Sequence, residues 1–146
     1  MADILVVDDE PAIRLLIETL MEGEGHTVRT AANGREALTK VEEDVPDLIV
    51  LDLMMPEMDG WHFLEELHNR GLRKRTRVVI VSGYADSTGN RTSRLSRHYL
   101  AKPFDIESLI ALVNDALDQD SEDLYSQIDR RVSLARLIDK LDTVLR

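Results

Sequence analysis

Three short runs of this chain are apolar at every position rather than at alternate ones: Ile4 to Val7, Leu48 to Leu51 and Val78 to Val81. A strand with one solvated face alternates apolar and polar residues, whereas a strand covered by helices on both faces does not need to. The runs therefore predict central strands of a parallel sheet. Two of them end in acid, the first in Asp8 and Asp9 and the second in Asp52. Open α/β sheets bind ligands in the crevice at the carboxyl ends of their strands, so these carboxylates are expected to converge there.

The intervening stretches carry helical periodicity, and apolar runs alternating with amphipathic ones are the mark of repeated βαβ units. Five such units fit before residue 120. Strands are predicted near Ile4 to Asp8, Thr27 to Ala31, Leu48 to Asp52, Val78 to Ser82 and His98 to Ala101. The first helix starts at Pro11, where a missing backbone donor costs nothing, and is expected to bury Ile13, Leu16, Ile17 and Leu20. The second spans about Gly34 to Glu43, with Ala37, Leu38 and Val41 inward. The third begins near Asp59 and buries Phe63, Leu64 and Leu67 before Gly71. From Ile106 to Leu117 the positions 106, 109, 110, 113 and 117 form a helical stripe. Between Ser82 and Tyr99, glycine, serine, threonine and asparagine dominate and Leu95 is nearly the only large apolar anchor, so a helix there is expected to be short or mobile.

At 146 residues the chain can remove roughly 70% of its unfolded surface from water in one core. A content of 43% hydrophobic residues separates it from disordered chains. Its net charge of −10 disfavours nonspecific attraction to nucleic acid or anionic lipid and favours cations and basic partners. The absence of cysteine excludes disulfides, thiol catalysis and thiolate zinc sites. The four histidines have no spacing that pairs two of them as zinc ligands. With no basic segment leading into a long apolar stretch, and no run of eighteen apolar residues, the expected location is cytoplasmic, with no membrane insertion.

Singly, each polar candidate has an ordinary explanation. Asp8 and Asp9 before Pro11 could cap the first helix, Asp52 could be a turn residue, and Ser82 and Lys102 could be a structural hydroxyl and a solvated charge. Together they describe a chemistry. Three carboxylates in one crevice repel each other unless a cation relieves them, and a hard divalent ion such as Mg2+, with Mn2+ as a substitute, takes oxygen ligands of this kind. Lys102 would add a second positive charge and Ser82 a hydroxyl donor where a transferred phosphoryl group carries its negative charge. Asp52 is then placed as a nucleophile that forms an acyl phosphate.

The segments ILVVDDEP, DLIVLDLMMPEMDGW, VVIVSGYA and YLAKPF, in this order, resemble the receiver domain of two-component response regulators over roughly residues 1 to 119. The resemblance implies an α/β fold, a doubly wound, flavodoxin-like five-stranded parallel sheet of strand order 2-1-3-4-5, followed by a C-terminal helical extension over 120 to 146. It implies that Asp52 is the phosphoacceptor, that Asp9 ligates Mg2+ directly, that Asp8 does so directly or through water, and that Met54 lends its backbone carbonyl. Ser82 takes the switch hydroxyl position, Tyr99 the switch aromatic position, and Lys102 the lysine position ahead of a cis bond to Pro103. The implied function is a phosphorylation-dependent signalling switch. A sensor histidine kinase or histidine phosphotransfer protein supplies the phosphoryl group, and a downstream protein target reads it through the fourth helix expected after Ser82, the fifth strand and the fifth helix, from Ile106 to Leu117. The chain departs from the family pattern in the short, polar stretch from Ser82 to Lys102. Tyr84, two residues after the switch hydroxyl, is expected to shield the acyl phosphate from water.

Other features are weighed against plainer explanations. The run Arg70, Arg73, Lys74, Arg75 and Arg77 reads as a solvated loop. Arg91, Arg94 and Arg97 could line one side of a partner-binding helix. Trp61 is expected to pack at the start of the third helix. In the extension, Leu134, Ile138, Leu141 and Leu145 follow coiled-coil spacing, so the segment either folds back on its own receiver or forms a homodimer or partner-docking helix. It is too short for a DNA-binding output domain, and direct nucleic-acid contact is not expected. Two other functions compete. An aspartate-dependent phosphohydrolase would usually carry a second acid two residues after the nucleophile, where Met54 stands. A phosphorylation-independent scaffold would not need the complete set Asp8, Asp9, Asp52, Ser82 and Lys102. The chain is therefore read as a phosphoacceptor rather than an enzyme acting on an external substrate.

Overall fold

The structure is a computed structural model that describes residues 1–83 and 98–118. Tyr84, the arginines from Arg91 to Arg97 and the extension beyond Asp118 lie outside the described residues. The elements are β1 (Asp3–Val7), α1 (Pro11–Gly23), β2 (Thr27–Ala31), α2 (Gly34–Glu43), β3 (Leu48–Leu51), α3 (Gly60–Asn69), a 3-10 turn (Arg73–Arg75), β4 (Arg77–Ser82), β5 (Tyr99–Ala101) and α4 (Ile106–Asp118). Strand pairing is parallel throughout, in the order β2-β1-β3-β4-β5. The chain therefore steps from β1 outwards to β2 and then crosses back over β1 to β3. That reversal leaves a crevice between the carboxyl ends of β1 and β3.

Burial explains the unbroken apolar runs. Leu5, Val7, Ile49, Leu51, Val78 and Ile80 face α2 and α3, where they pack with Leu38, Val41, Phe63, Leu64 and Leu67. Ile4, Val6, Leu48, Val50, Val79 and Val81 face α1 and α4, against Ile17, Met21, Leu109 and Val113. Each central strand thus feeds two cores by alternate residues, whereas the edge strand β2 stays largely half-buried. Trp61 packs against the α2/α3 core, as expected.

Three expectations are corrected. Leu16 is 39% exposed, because the stripe that meets the sheet runs Ile13, Ile17, Leu20 and Met21 and leaves Leu16 at its margin. Ile106, the first residue of α4, is 47% exposed, and the inward positions are Leu109, Val113 and Ala116. Arg73 is not in a solvated loop: it is 3% exposed, turned inward by the 3-10 turn that follows core-packed Leu72. Its neighbours Lys74 and Arg75 are exposed.

Helix starts are fixed by side chains. Asn33 accepts a hydrogen bond from the Glu36 amide at 2.8 Å, and Asp59 from the His62 amide at 2.9 Å. The α1 terminus differs: its N-cap position is Glu10, which makes no side-chain cap bond. The first-helix capping role considered for Asp8 and Asp9 is therefore not what these residues do. None of the described helices is long and apolar enough to cross a membrane.

Candidate functional site: an acidic crevice at the sheet rim

Parallel register places the candidate residues on one rim. Val7 pairs with Leu51, so the next residues, Asp8 and Asp52, emerge side by side, with the Asp52 amide donating to the Val7 carbonyl at 3.0 Å. On the far side Ser82 pairs with Ala101, and the Lys102 amide donates to the Ser82 carbonyl at 3.1 Å. Four separate strands thus deliver Asp8, Asp52, Ser82 and Lys102 to one place, although the last of them is 94 residues from the first.

The side chains then close on each other. Lys102 Nζ donates to Asp8 Oδ2 at 2.6 Å and to Asp52 Oδ2 at 3.3 Å, and Glu10 Oε1 lies 3.9 Å from the same ammonium group. Asp52 Oδ1 accepts from the Met54 amide at 3.2 Å, and the buried Ser82 hydroxyl also donates to the Asp52 carboxylate. Each of Asp8, Asp9 and Asp52 offers an oxygen within 4.8 Å of those of the other two. Asp8 and Asp52 are buried and Asp9 is half-buried.

Burial pushes the Asp52 carboxyl above its ordinary value of 3.8, and the Asp8 charge adds to that effect. The Lys102 charge and the hydrogen bonds from Met54 and Ser82 oppose it without cancelling it. For Lys102, burial alone would lower the pKa; the hydrogen bond to Asp8 and the charges of Asp52 and Asp8 outweigh it and hold the ammonium above its ordinary 10.5. One ammonium thus faces three carboxylates, which leaves the crevice short of positive charge. The donor set is all oxygen, suited to a hard divalent cation such as Mg2+ rather than to zinc or copper.

The structure gathers Asp8, Asp9, Asp52, Ser82 and Lys102. Met54 stands two residues after Asp52, its amide turned to that carboxylate and the residue 54% exposed. Tyr99 lies outside the cluster: it is half-buried on the edge strand β5, in register with Ile80 and packed against the α2/α3 core. The bond from Lys102 to Pro103 is cis. The Ser82 hydroxyl is buried and hydrogen-bonded to the Asp52 carboxylate, as a buried hydroxyl needs an acceptor.

Gly60 is a part of the site that sequence reading missed. A Cβ at this position would lie 2.7 Å from both the Asp52 carbonyl oxygen and the Leu53 Cα, and the Gly60 amide donates to the Leu53 carbonyl at 2.9 Å. The start of α3 therefore rests directly on the backbone that carries Asp52. A glycine in the first turn of a helix, where propensity disfavours it, was the available signal.

Known proteins resemble this chain in sequence and fold. The family model of the response regulator receiver domain matches residues 4–114. The response regulator MprA of Mycolicibacterium vanbaalenii is 36% identical over 123 residues, covering 82% of this chain and 52% of its own length. The chain thus spans about half of that relative. Among solved structures, the Francisella response regulator 1452 receiver domain shares 38% identity at a TM-score of 0.71, covering 80% of this chain and 97% of its own. The response regulator TrrA of Thermotoga maritima, solved in complex with Mg(2+)-BeF, shares 33% identity at a TM-score of 0.69, covering 80% of this chain and 99% of its own. With strand order, acidic crevice and family match in agreement, the chain belongs to the response regulator receiver domains of two-component signal transduction.

Proposed function

We propose that Asp52 accepts a phosphoryl group from a phosphohistidine donor, a sensor histidine kinase or a histidine phosphotransfer protein, and that the resulting acyl phosphate changes the protein contacts this chain makes. The supporting observation is the convergence of Asp8, Asp9 and Asp52 with Lys102 at the crevice between β1 and β3. In the transfer, an Asp52 carboxylate oxygen forms a bond to phosphorus as the phosphorus–nitrogen bond of the donor breaks, and the leaving imidazole keeps the electron pair. Lys102, already within 3.3 Å of Asp52 Oδ2, is in reach of the phosphoryl oxygens and offsets their charge.

Asp9, Asp52 and the Met54 carbonyl are the proposed ligands of Mg2+, with Asp8 acting directly or through water. The bound ion supplies positive charge to the phosphoryl oxygens as they pass from donor to acceptor. Both Asp8 oxygens are already engaged, Oδ1 by the Glu10 amide at 2.9 Å and Oδ2 by Lys102 at 2.6 Å. Ser82 is the proposed switch hydroxyl, leaving the Asp52 carboxylate for a phosphoryl oxygen, and Tyr99 on the edge strand is the proposed aromatic that follows it. The phosphoryl group shifts the two states only as far as its contacts differ between them.

Incubation with a small phosphodonor and Mg2+, followed by intact mass, tests the proposal. A gain of one phosphoryl mass in the wild type, absent from Asp52→Asn, is expected. No adduct on the wild type would overturn it.

A further inference from the structure

Asp8 has four polar atoms, and all four are engaged. Its amide donates to the Ala31 carbonyl at 3.2 Å, Oδ1 accepts from the Glu10 amide at 2.9 Å, and Oδ2 accepts from Lys102 Nζ at 2.6 Å. The fourth, its carbonyl oxygen, accepts from Arg14 Nη1 at 2.8 Å. Arg14 is half-buried and lies one turn into α1, where its own amide donates to the Glu10 carbonyl at 2.9 Å. It therefore grips the Asp8 to Glu10 turn from both ends, by side chain at Asp8 and by backbone at Glu10. This matters because α1 lacks the usual fastening at its start: Glu10 at the N-cap makes no side-chain bond, and Pro11 follows. Asp9 stands in the middle of that turn, and among the described residues its carboxylate is the one of the three with no hydrogen bond shown to hold it.

We propose that Arg14 is a positioning residue for the divalent cation: by fixing the Asp8 carbonyl it sets the turn that presents the Asp9 carboxylate to the ion. The inference rests on the metal-binding reading above. Groups behind the direct ligands of a metal commonly control affinity by orienting those ligands.

Charge and geometry make opposite predictions here, which gives the test its force. Arg14 is a cation beside a cation site, so if only its charge mattered, removing it would tighten Mg2+ binding. If it positions the turn, removing it weakens binding. Titration of the full chain with MgCl2 by calorimetry, with Trp61 fluorescence as a second readout, is compared for wild type, Arg14→Met, Arg14→Gln and Arg14→Lys. The expected result is an affinity about tenfold lower in Arg14→Met and Arg14→Gln. Arg14→Lys, which keeps a donor and the charge, recovers most of the loss. A purely structural role would lower the metal-free melting temperature and leave the Mg2+ affinity as it was. Unchanged or tighter binding in Arg14→Met overturns the inference, and if that variant does not fold, Arg14→Gln decides by the same criterion. A wild type that does not respond to Mg2+ would overturn the metal-binding reading, and the inference with it.

Discussion

At the scale of single residues, the crevice is a buried excess of negative charge held by one lysine. The raised pKa of Asp52 means that the folded chain binds that proton more tightly than the unfolded chain does. Its contribution to stability is therefore most favourable below the ordinary value of 3.8 and declines as pH rises through the raised folded value. Metal-free Asp52→Asn is expected to be more stable than wild type at neutral pH, with the gap closing as pH falls through that window. Thermal melts in chelator across the acidic range measure this, and a gap that widens on acidification would contradict it. For Lys102 the sign is the same and the window lies at alkaline pH. Its raised pKa gives stability that is complete below 10.5 and is lost as pH climbs through the folded value. Lys102→Met leaves Asp8 and Asp52 buried without their partner and should cost about 3 kcal/mol in the metal-free protein. Addition of Mg2+ should return part of that loss in a denaturant titration.

At the scale of elements, the loop after β3 and the start of α3 are a single unit. Gly60→Ala forces a methyl group to within 2.7 Å of the Asp52 carbonyl and the Leu53 Cα. The expected outcome is a loss of about 2 kcal/mol and slower phosphodonor labelling, because the displaced backbone carries the proposed acceptor, Asp52. Chemical denaturation and the labelling rate check the two halves separately. Glu57, at φ 66°, gives the same loop a left-handed residue, a conformation that a non-glycine side chain adopts at a cost. A contrast is Asn33, whose side chain bonds the Glu36 amide at the start of α2. Asn33→Ala should cost about 1 kcal/mol and leave labelling unchanged. These elements also show where sequence reading succeeded and where it stopped. The helices were legible because apolar spacing and Asn or Asp caps are local signals. The outward turn of Leu16 and Ile106, and the burial of Arg73, were not, because each depends on the angle at which a helix or turn meets the sheet.

At the scale of the whole molecule, a cation bound by the proposed ligands at the rim would tie β1 to β3. A ligand that binds only the folded state stabilises it by RT ln(1 + [L]/Kd), about 1.4 kcal/mol at ten times Kd. The melting temperature of wild type should therefore rise with MgCl2 concentration, and that of Asp9→Asn should rise much less. Equal responses of the two would remove Asp9 from the proposed ligand set.

By itself the sequence determined the class of fold and the rim on which its chemistry sits: unbroken apolar runs require cover on both faces, and residues that end such runs must lie at the strand ends. Distance in sequence hid the rest. Only the tertiary structure decided that Lys102 sits 2.6 Å from Asp8, that Gly60 touches the backbone of Asp52, and that Arg14 reaches back to the Asp8 carbonyl. Those contacts depend on register between strands and on helix placement, which arise from packing of the whole sheet and leave no periodic trace in any one segment.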